Sequence, residues 1–198
     1  MGDAILRGDQ PLNLDTPDNR LLSLVLAYQS ERYPDTCFIK TEEAEISYRQ
    51  MQDLVDRYSV WMHQRGIAKE DRICLLMVSC IDYVALTLAA NALGAVWVPV
   101  NTDYKGEWLR GTLINSSPKM TVVSPEFESR LADLGELNRE VVSTQSLPPI
   151  GTNDASPPKP ELYYGDTVSV MWTSGTTGNA KGVMQSHNTW IRSALSAV

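Results

Sequence analysis

A strand, a helix and a second strand are predicted within residues 72–100, which read RICLLMVSCIDYVALTLAANALGAVWVPV. Residues 72–78 form a nearly continuous apolar run of strand length, typical of a parallel strand covered on both faces. Residues 81–93 favour a helix that ends at Gly94, and residues 95–100 repeat the apolar strand pattern. Strand, crossover helix and strand in about thirty residues make a βαβ unit, whose strands pair in parallel through a right-handed connection.

The same alternation of helices and strands extends in both directions along the chain. Upstream, helices are predicted from Leu21 to a stop at Pro34 and from Tyr48 to Gly66, with short strands at 37–40 and 45–48 between them. Downstream, helices at 108–115 and 127–134 alternate with strands at 120–123 and 140–143. The sequence therefore predicts an α/β fold of βαβ units with a mostly parallel sheet.

A proline-rich stretch divides the chain. Residues 146–160 contain five of the eleven prolines, which is typical of a linker or a long surface loop. We therefore expect three parts. They are an N-terminal α/β subdomain (1–145), a linker or loop (146–165), and a segment of strand, loop, strand and helix start (166–198).

Composition disfavours several classes of function. The 198 residues carry a formal net charge of −7, so general binding to nucleic acid or to an anionic membrane surface is not expected. Three cysteines without a C-x-x-C pattern and two distant histidines, His63 and His187, favour neither a zinc site nor a disulfide framework. They indicate a reducing, cytoplasmic setting.

Targeting and membrane signals are not apparent either. The N-terminus lacks a basic region followed by an apolar one, so no secretory signal is predicted. The most apolar stretch, residues 81–100, is interrupted by polar residues, glycine and proline, and is not a membrane span.

The chemistry is predicted to lie in residues 173–182, TSGTTGNAKG, between a strand at 167–172 and a second strand at 183–186. Four of its first five residues carry hydroxyls, its glycines allow a concave nest of N–H donors, and Lys181 supplies a cation. A polyphosphate needs all three. The alternative is a plain turn or flexible linker, which is disfavoured because two strands flank the stretch. Ala180 rules out a Walker A loop, and no G-x-G of a dinucleotide fingerprint occurs.

The stretch from Met171 to Val183 resembles the phosphate-binding signature of the adenylate-forming superfamily, Tyr/Phe-Thr-Ser-Gly-Thr-Thr-Gly-x-Pro-Lys-Gly-Val. The superfamily includes acyl-CoA synthetases, peptide-synthetase adenylation domains and luciferases. This chain departs from the pattern at Trp172 (usually Tyr or Phe) and Ala180 (usually Pro). Residues 45–51 and 92–101 are similar to two upstream family motifs, and the form of the second is closer to acyl-CoA synthetases.

The resemblance implies a two-step reaction. A small-molecule carboxylic acid attacks MgATP to give acyl-adenylate and pyrophosphate, and a thiol, usually CoA, then displaces AMP. The residues that would wrap the β- and γ-phosphates are Thr173, Ser174, Gly175, Thr176, Thr177, Gly178 and Lys181. His187 is left with two roles, one near the acyl or nucleotide site and one in packing at a helix start.

Other parts of the superfamily's machinery are expected C-terminal to this loop. They include most Mg²⁺ ligands, the adenylation lysine and the C-terminal small domain, so no residue here is assigned as catalytic or as a metal ligand. We therefore expect an N-terminal fragment of an AMP-forming acyl-CoA synthetase, inactive alone. The alternatives are a domain that loads a carrier protein and a non-catalytic nucleotide-binding or interaction module.

A shortened chain should also leave apolar surface uncovered. The strand before the loop is expected to pair with neighbours outside this chain, which leaves an open edge. Self-association, or association with a complementary C-terminal fragment, would cover that edge.

Overall fold

The computed structural model describes residues 11–134, 140–149, 156–173 and 180–197. Within these ranges the helices are α1 (Leu22–Arg32), α2 (Tyr48–Gln64), α3 (Ile81–Ala92), α4 (Gly106–Ser116), α5 (Pro125–Ala132) and α6 (His187–Leu195). The strands are β1 (Cys37–Lys40), β2 (Glu45–Ser47), β3 (Arg72–Leu76), β4 (Val96–Pro99), β5 (Met120–Val123), β6 (Glu140–Ser143), β7 (Thr167–Thr173) and β8 (Lys181–Ser186).

Six of these strands form one sheet in the order β6-β5-β3-β4-β7-β8. All neighbours pair in parallel except β7 and β8, which are antiparallel. β1 and β2 form a separate antiparallel pair. The predicted α/β class with a mostly parallel sheet is confirmed.

The central strand β3 is buried on both faces, as its apolar run predicts. Ile73 and Leu75 point into one core, together with residues of α2 and α3. Cys74 and Leu76 point into a second core on the opposite face, together with residues of α4 and α5. The sheet is therefore covered by helices on both sides, as parallel sheets generally are.

Local sequence fixes the beginning and the end of α2. Ser47 and Gln50 form a capping box, in which the Gln50 N–H donates to Ser47 Oγ (3.3 Å) and the Ser47 N–H donates to Gln50 Oε1 (2.8 Å). At the other end Gly66 adopts a φ of 78°, a conformation that glycine tolerates without strain. The predicted strand at 45–48 is one residue too long, because Tyr48 begins this helix.

The expectation that the strand before the loop would find its neighbours outside this chain is wrong. β7 pairs with β4 on one side, where Ser169 lies opposite Trp97, and with β8 along its other side. The edge strands of this sheet within the described residues are β6 and β8, and on β8 Val183 and Met184 are 45% and 72% exposed. Our expectation failed because the periodicity of a strand does not reveal its neighbours.

Candidate functional site

The β7–β8 hairpin brings the two ends of the predicted phosphate loop together. Thr173, the last residue of β7, lies directly opposite Lys181, the first residue of β8. The Thr173 hydroxyl donates to the Lys181 backbone carbonyl at 3.3 Å. Thr173 and Lys181 therefore stand side by side at the mouth of the loop.

The remaining predicted phosphate ligands, Ser174, Gly175, Thr176, Thr177 and Gly178, lie outside the described residues. Their assignment stays a prediction. The hairpin supports it by joining Thr173 to Lys181 across the intervening residues.

The loop leaves the sheet at an edge that suits ligand binding. β7 runs parallel to β4, so its carboxyl end leads towards the same edge as those of β3, β4, β5 and β6. From β3 the chain crosses to β4 on one side and then returns to β5 on the other. Open parallel sheets bind ligands outside the carboxyl ends of their strands, where such reversals of direction occur.

Lys181 is available to an anionic ligand. Its side chain is exposed, and in the part of the chain that the structure describes it forms no ion pair. A unit charge pair about 4 Å apart is worth roughly 4 kcal/mol near a protein surface. Salt screens distant surface charges beyond about 8 Å, so this local cation can outweigh the diffuse net charge of the protein.

Gly182 is a further residue of the hairpin that our sequence analysis did not single out. It lies opposite Trp172, and a Cβ atom there would come within 2.9 Å of Val170 Cγ1 and 3.4 Å of Trp172 Cη2. A side chain at this position would clash with Val170 and would reach the indole of Trp172. The glycine after the lysine of the motif is the signal that could have revealed this close approach.

His187 packs at a helix start, which is one of the two roles that the sequence left open. It is the first residue of α6, it is 0% exposed, and its Nδ1 accepts the backbone N–H of Leu22 at 3.2 Å. That N–H begins α1 and has no partner within its own helix. Burial, partly offset by Asp166 and reinforced by Lys69, lowers the pKa of His187 to about 4.

Neighbouring groups reinforce the junction between α1 and α6. The Arg20 guanidinium donates to Asn188 Oδ1 at 2.9 Å, and the Lys69 ammonium lies 2.7 Å from Asp166 Oδ2. Burial alone would raise the pKa of Asp166, but hydrogen bonds from Lys69 and from a backbone N–H lower it overall. These polar contacts fix the start of α6, the helix that follows β8.

The donors at the hairpin fit a triphosphate better than a metal ion. Thr173 and Lys181 offer a hydroxyl and a cation, which are ligands for phosphate oxygens. Among the described residues no three His, Cys, Asp or Glu side chains gather into a possible metal site. In the same residues, no helix combines the length and apolarity needed to span a membrane.

The comparisons with known proteins identify the family of this chain. The family model for "AMP-binding enzyme" matches residues 26–198, so the chain belongs to the AMP-binding enzyme family, the adenylate-forming superfamily that the loop resembles.

Similar proteins include both ligases and peptide synthetases. The chain is 30% identical over 162 residues to the long-chain-fatty-acid–CoA ligase FadD13 of Mycobacterium tuberculosis, covering 78% of this chain and 32% of that protein. It is 23% identical over 179 residues to bacitracin synthase 1 of Bacillus licheniformis, covering 88% of this chain and 3% of that protein. This chain therefore spans a third or less of the length of either relative.

A solved structure shows the same fold. The crystal structure of VinN superimposes with a TM-score of 0.79 at 23% identity, covering 90% of this chain and 49% of that chain. The architecture is that of the N-terminal domain of adenylate-forming enzymes.

Proposed function

We propose that this chain is the N-terminal, phosphate-binding part of an ATP-dependent, AMP-forming acid–thiol ligase. The observation that carries the proposal is the pairing of Thr173 with Lys181 at the mouth of the signature loop, in a chain of the AMP-binding enzyme family. ATP, Mg²⁺ and CoA are the cofactors and co-substrate that this function requires.

In the proposed reaction a carboxylate oxygen of the substrate attacks the α-phosphorus of ATP, and the bond to the pyrophosphate oxygen breaks. Lys181 and the loop hydroxyls hold the β- and γ-phosphates and neutralise the negative charge that develops on the departing pyrophosphate. The sulfur of a thiol then attacks the acyl carbon, the thiol loses its proton, and AMP leaves. Mg²⁺ supplies further charge neutralisation on the phosphates, through ligands we propose to lie mostly outside this chain.

CoA is the thiol we propose, and a carrier protein is the second candidate. The chain is 30% identical to a CoA ligase and 23% identical to bacitracin synthase 1. The Val98-Pro99-Val100-Asn101 segment also has the form that is closer to acyl-CoA synthetases. If a carrier protein is the acceptor, the acyl group of the adenylate will transfer to the thiol of a phosphopantetheine-bearing domain, with release of AMP, and not to free CoA.

We predict that these 198 residues alone do not form acyl-adenylate. The proposal assigns them phosphate contacts but no adenylation lysine, and they span 32% of the FadD13 ligase. Pyrophosphate release, measured with ATP, Mg²⁺ and a panel of carboxylic acids, should stay at the level of the protein-free blank. Turnover above that blank would contradict the prediction.

We further propose that the exposed edge of β8 is covered by a complementary C-terminal portion of the same enzyme. Without it, the edge and its exposed Met184 should drive self-association of the chain. Light scattering should show species larger than a monomer, increasing with concentration. The substitution Met184→Lys should shift them towards the monomer, because a charge at a sheet edge opposes pairing. A clean monomer that binds no hydrophobic dye would count against this proposal.

A further inference from the structure

The residue before Thr173 is tied to a helix on the other side of the core. The indole Nε1–H of Trp172 donates to the hydroxyl of Ser116 at 2.8 Å, a contact across 56 residues of sequence. Ser116 is the last residue of α4 and is 3% exposed. Its hydroxyl donates in turn to the Thr112 carbonyl at 2.6 Å, so the Ser116 oxygen has both a donor and an acceptor partner.

The anchor at Ser116 is itself held in place. Arg72, at the start of the central strand β3, donates from Nε to the Ser116 carbonyl at 2.6 Å and from Nη2 to the Ser117 carbonyl at 3.1 Å. Ser117 ends the helix in the left-handed conformation, with a φ of 44°. The last turn of α4 is therefore bound to the sheet by two charge-assisted hydrogen bonds and cannot move independently of it.

The other side of the indole faces the hairpin. The Trp172 ring lies where a Cβ atom on Gly182 would reach it at 3.4 Å, so it packs closely against β8. Trp172 is thus held between a fixed helix end and the strand that begins with Lys181. One residue, Thr173, separates Trp172 from residues 174–179 of the predicted phosphate loop.

We propose that Trp172 is a positioning residue that, through Ser116, fixes the base of the phosphate loop and so the relative placement of Thr173 and Lys181. This rests on the proposed function. Binding of phosphate groups gains when the donors are already in place before the ligand arrives. The Trp172–Ser116 hydrogen bond supplies that fixed geometry, and a phenylalanine, which lacks a donor, cannot replace it.

A second indole–serine hydrogen bond, which joins α6 to the same strand β7, provides a matched control. The Nε1–H of Trp190 donates to the hydroxyl of Ser169 at 3.1 Å, near the amino end of β7 and on the opposite face of the sheet. Trp190→Phe removes a comparable hydrogen bond from the same strand while leaving the Trp172–Ser116 contact intact. General loss of packing or stability should appear in both variants, whereas loop positioning should depend on Trp172 alone.

The test compares Trp172→Phe, Ser116→Ala, their combination and Trp190→Phe in the full 198-residue chain, with inorganic tripolyphosphate as the probe in calorimetry. Each of the two single variants should weaken tripolyphosphate binding by about three- to tenfold, the usual effect of one hydrogen bond. The double variant should bind tripolyphosphate with an affinity no lower than that of the single variant with the larger loss, since both substitutions remove the same hydrogen bond. Trp190→Phe should stay within twofold of the wild type.

Two results would overturn the proposal. One is tripolyphosphate binding by Trp172→Phe within twofold of the wild type, and the other is an equal loss in Trp190→Phe. If the wild-type chain itself fails to bind tripolyphosphate, the proposed function is what fails. Hydrogen exchange then tests the positioning role separately, because Trp172→Phe should speed exchange of the Thr173 and Lys181 amides more than Trp190→Phe does. Equal rates in the two variants would refute it.

Discussion

The substitution Lys181→Ala is expected to weaken binding of tripolyphosphate or ATP by about 10- to 100-fold, the usual effect of a hydrogen bond to a charged group. Lys181 begins β8 opposite Thr173, and its exposed side chain forms no ion pair with the described residues. Its removal should therefore cost ligand binding and leave the fold intact. Calorimetric titration and a thermal melt of the same sample measure the two effects separately.

Lys40→Ala is the matched control for this substitution. Lys40 lies on the separate β1–β2 pair, is also exposed, and forms a surface ion pair with Glu45 at 3.2 Å. The Lys40→Ala substitution changes the net charge of the protein by the same amount. Any loss of affinity that is due to the overall electrostatic field should therefore appear in both variants. Equal affinities in Lys40→Ala and Lys181→Ala would show that Lys181 makes no specific phosphate contact.

The second large effect is a loss of stability in mild acid that depends on His187. Its pKa is about 4 in the folded protein, below the ordinary value of 6.5 that it regains on unfolding. Between these values the unfolded state binds more protons, so the free energy of unfolding falls as the pH drops from 6.5 towards 4. The full contribution, present above pH 6.5, amounts to about 3 kcal/mol. Urea unfolding at a series of pH values measures it.

Burial of His187 is the main cause of its lowered pKa, and its contact with the start of α1 suggests a control. Protonation of Nδ1 removes the acceptor for the Leu22 N–H and places a positive charge at a helix N-terminus. The substitution His187→Asn keeps an acceptor near the Nδ1 position but does not titrate. Its stability should change less with pH over this interval. The same pH dependence in the wild type and His187→Asn would show that other groups are responsible.

The sequence predicted the elements well because their signals are local. The apolar run of β3 indicated burial on both faces, and alternate residues do enter opposite cores, with Ile73 on one side and Cys74 on the other. The hydroxyls, glycines and lysine of the loop indicated a phosphate site for a similar reason. Their meaning depends on residue types within ten positions.

The sequence did not predict contacts between distant parts of the chain. β4 pairs with β7, and the periodicity of the sequence alone could not identify that neighbour. His187 caps a helix 165 residues away, and Trp172 reaches Ser116 across 56 residues. Such pairs depend on how the helices pack over the sheet, so the packing role of His187 and the anchoring of Trp172 became visible only in three dimensions.

A crystal structure of the chain soaked with ATP would show directly whether the β7–β8 hairpin binds the triphosphate. We expect triphosphate density at the end of the β7–β8 hairpin, with Lys181 Nζ about 2.7–2.9 Å from a phosphate oxygen, the usual length of such charge-assisted bonds. The Thr173 hydroxyl should lie within hydrogen-bonding distance of the same group. ATP bound elsewhere, with Lys181 directed away from its phosphates, would contradict the account.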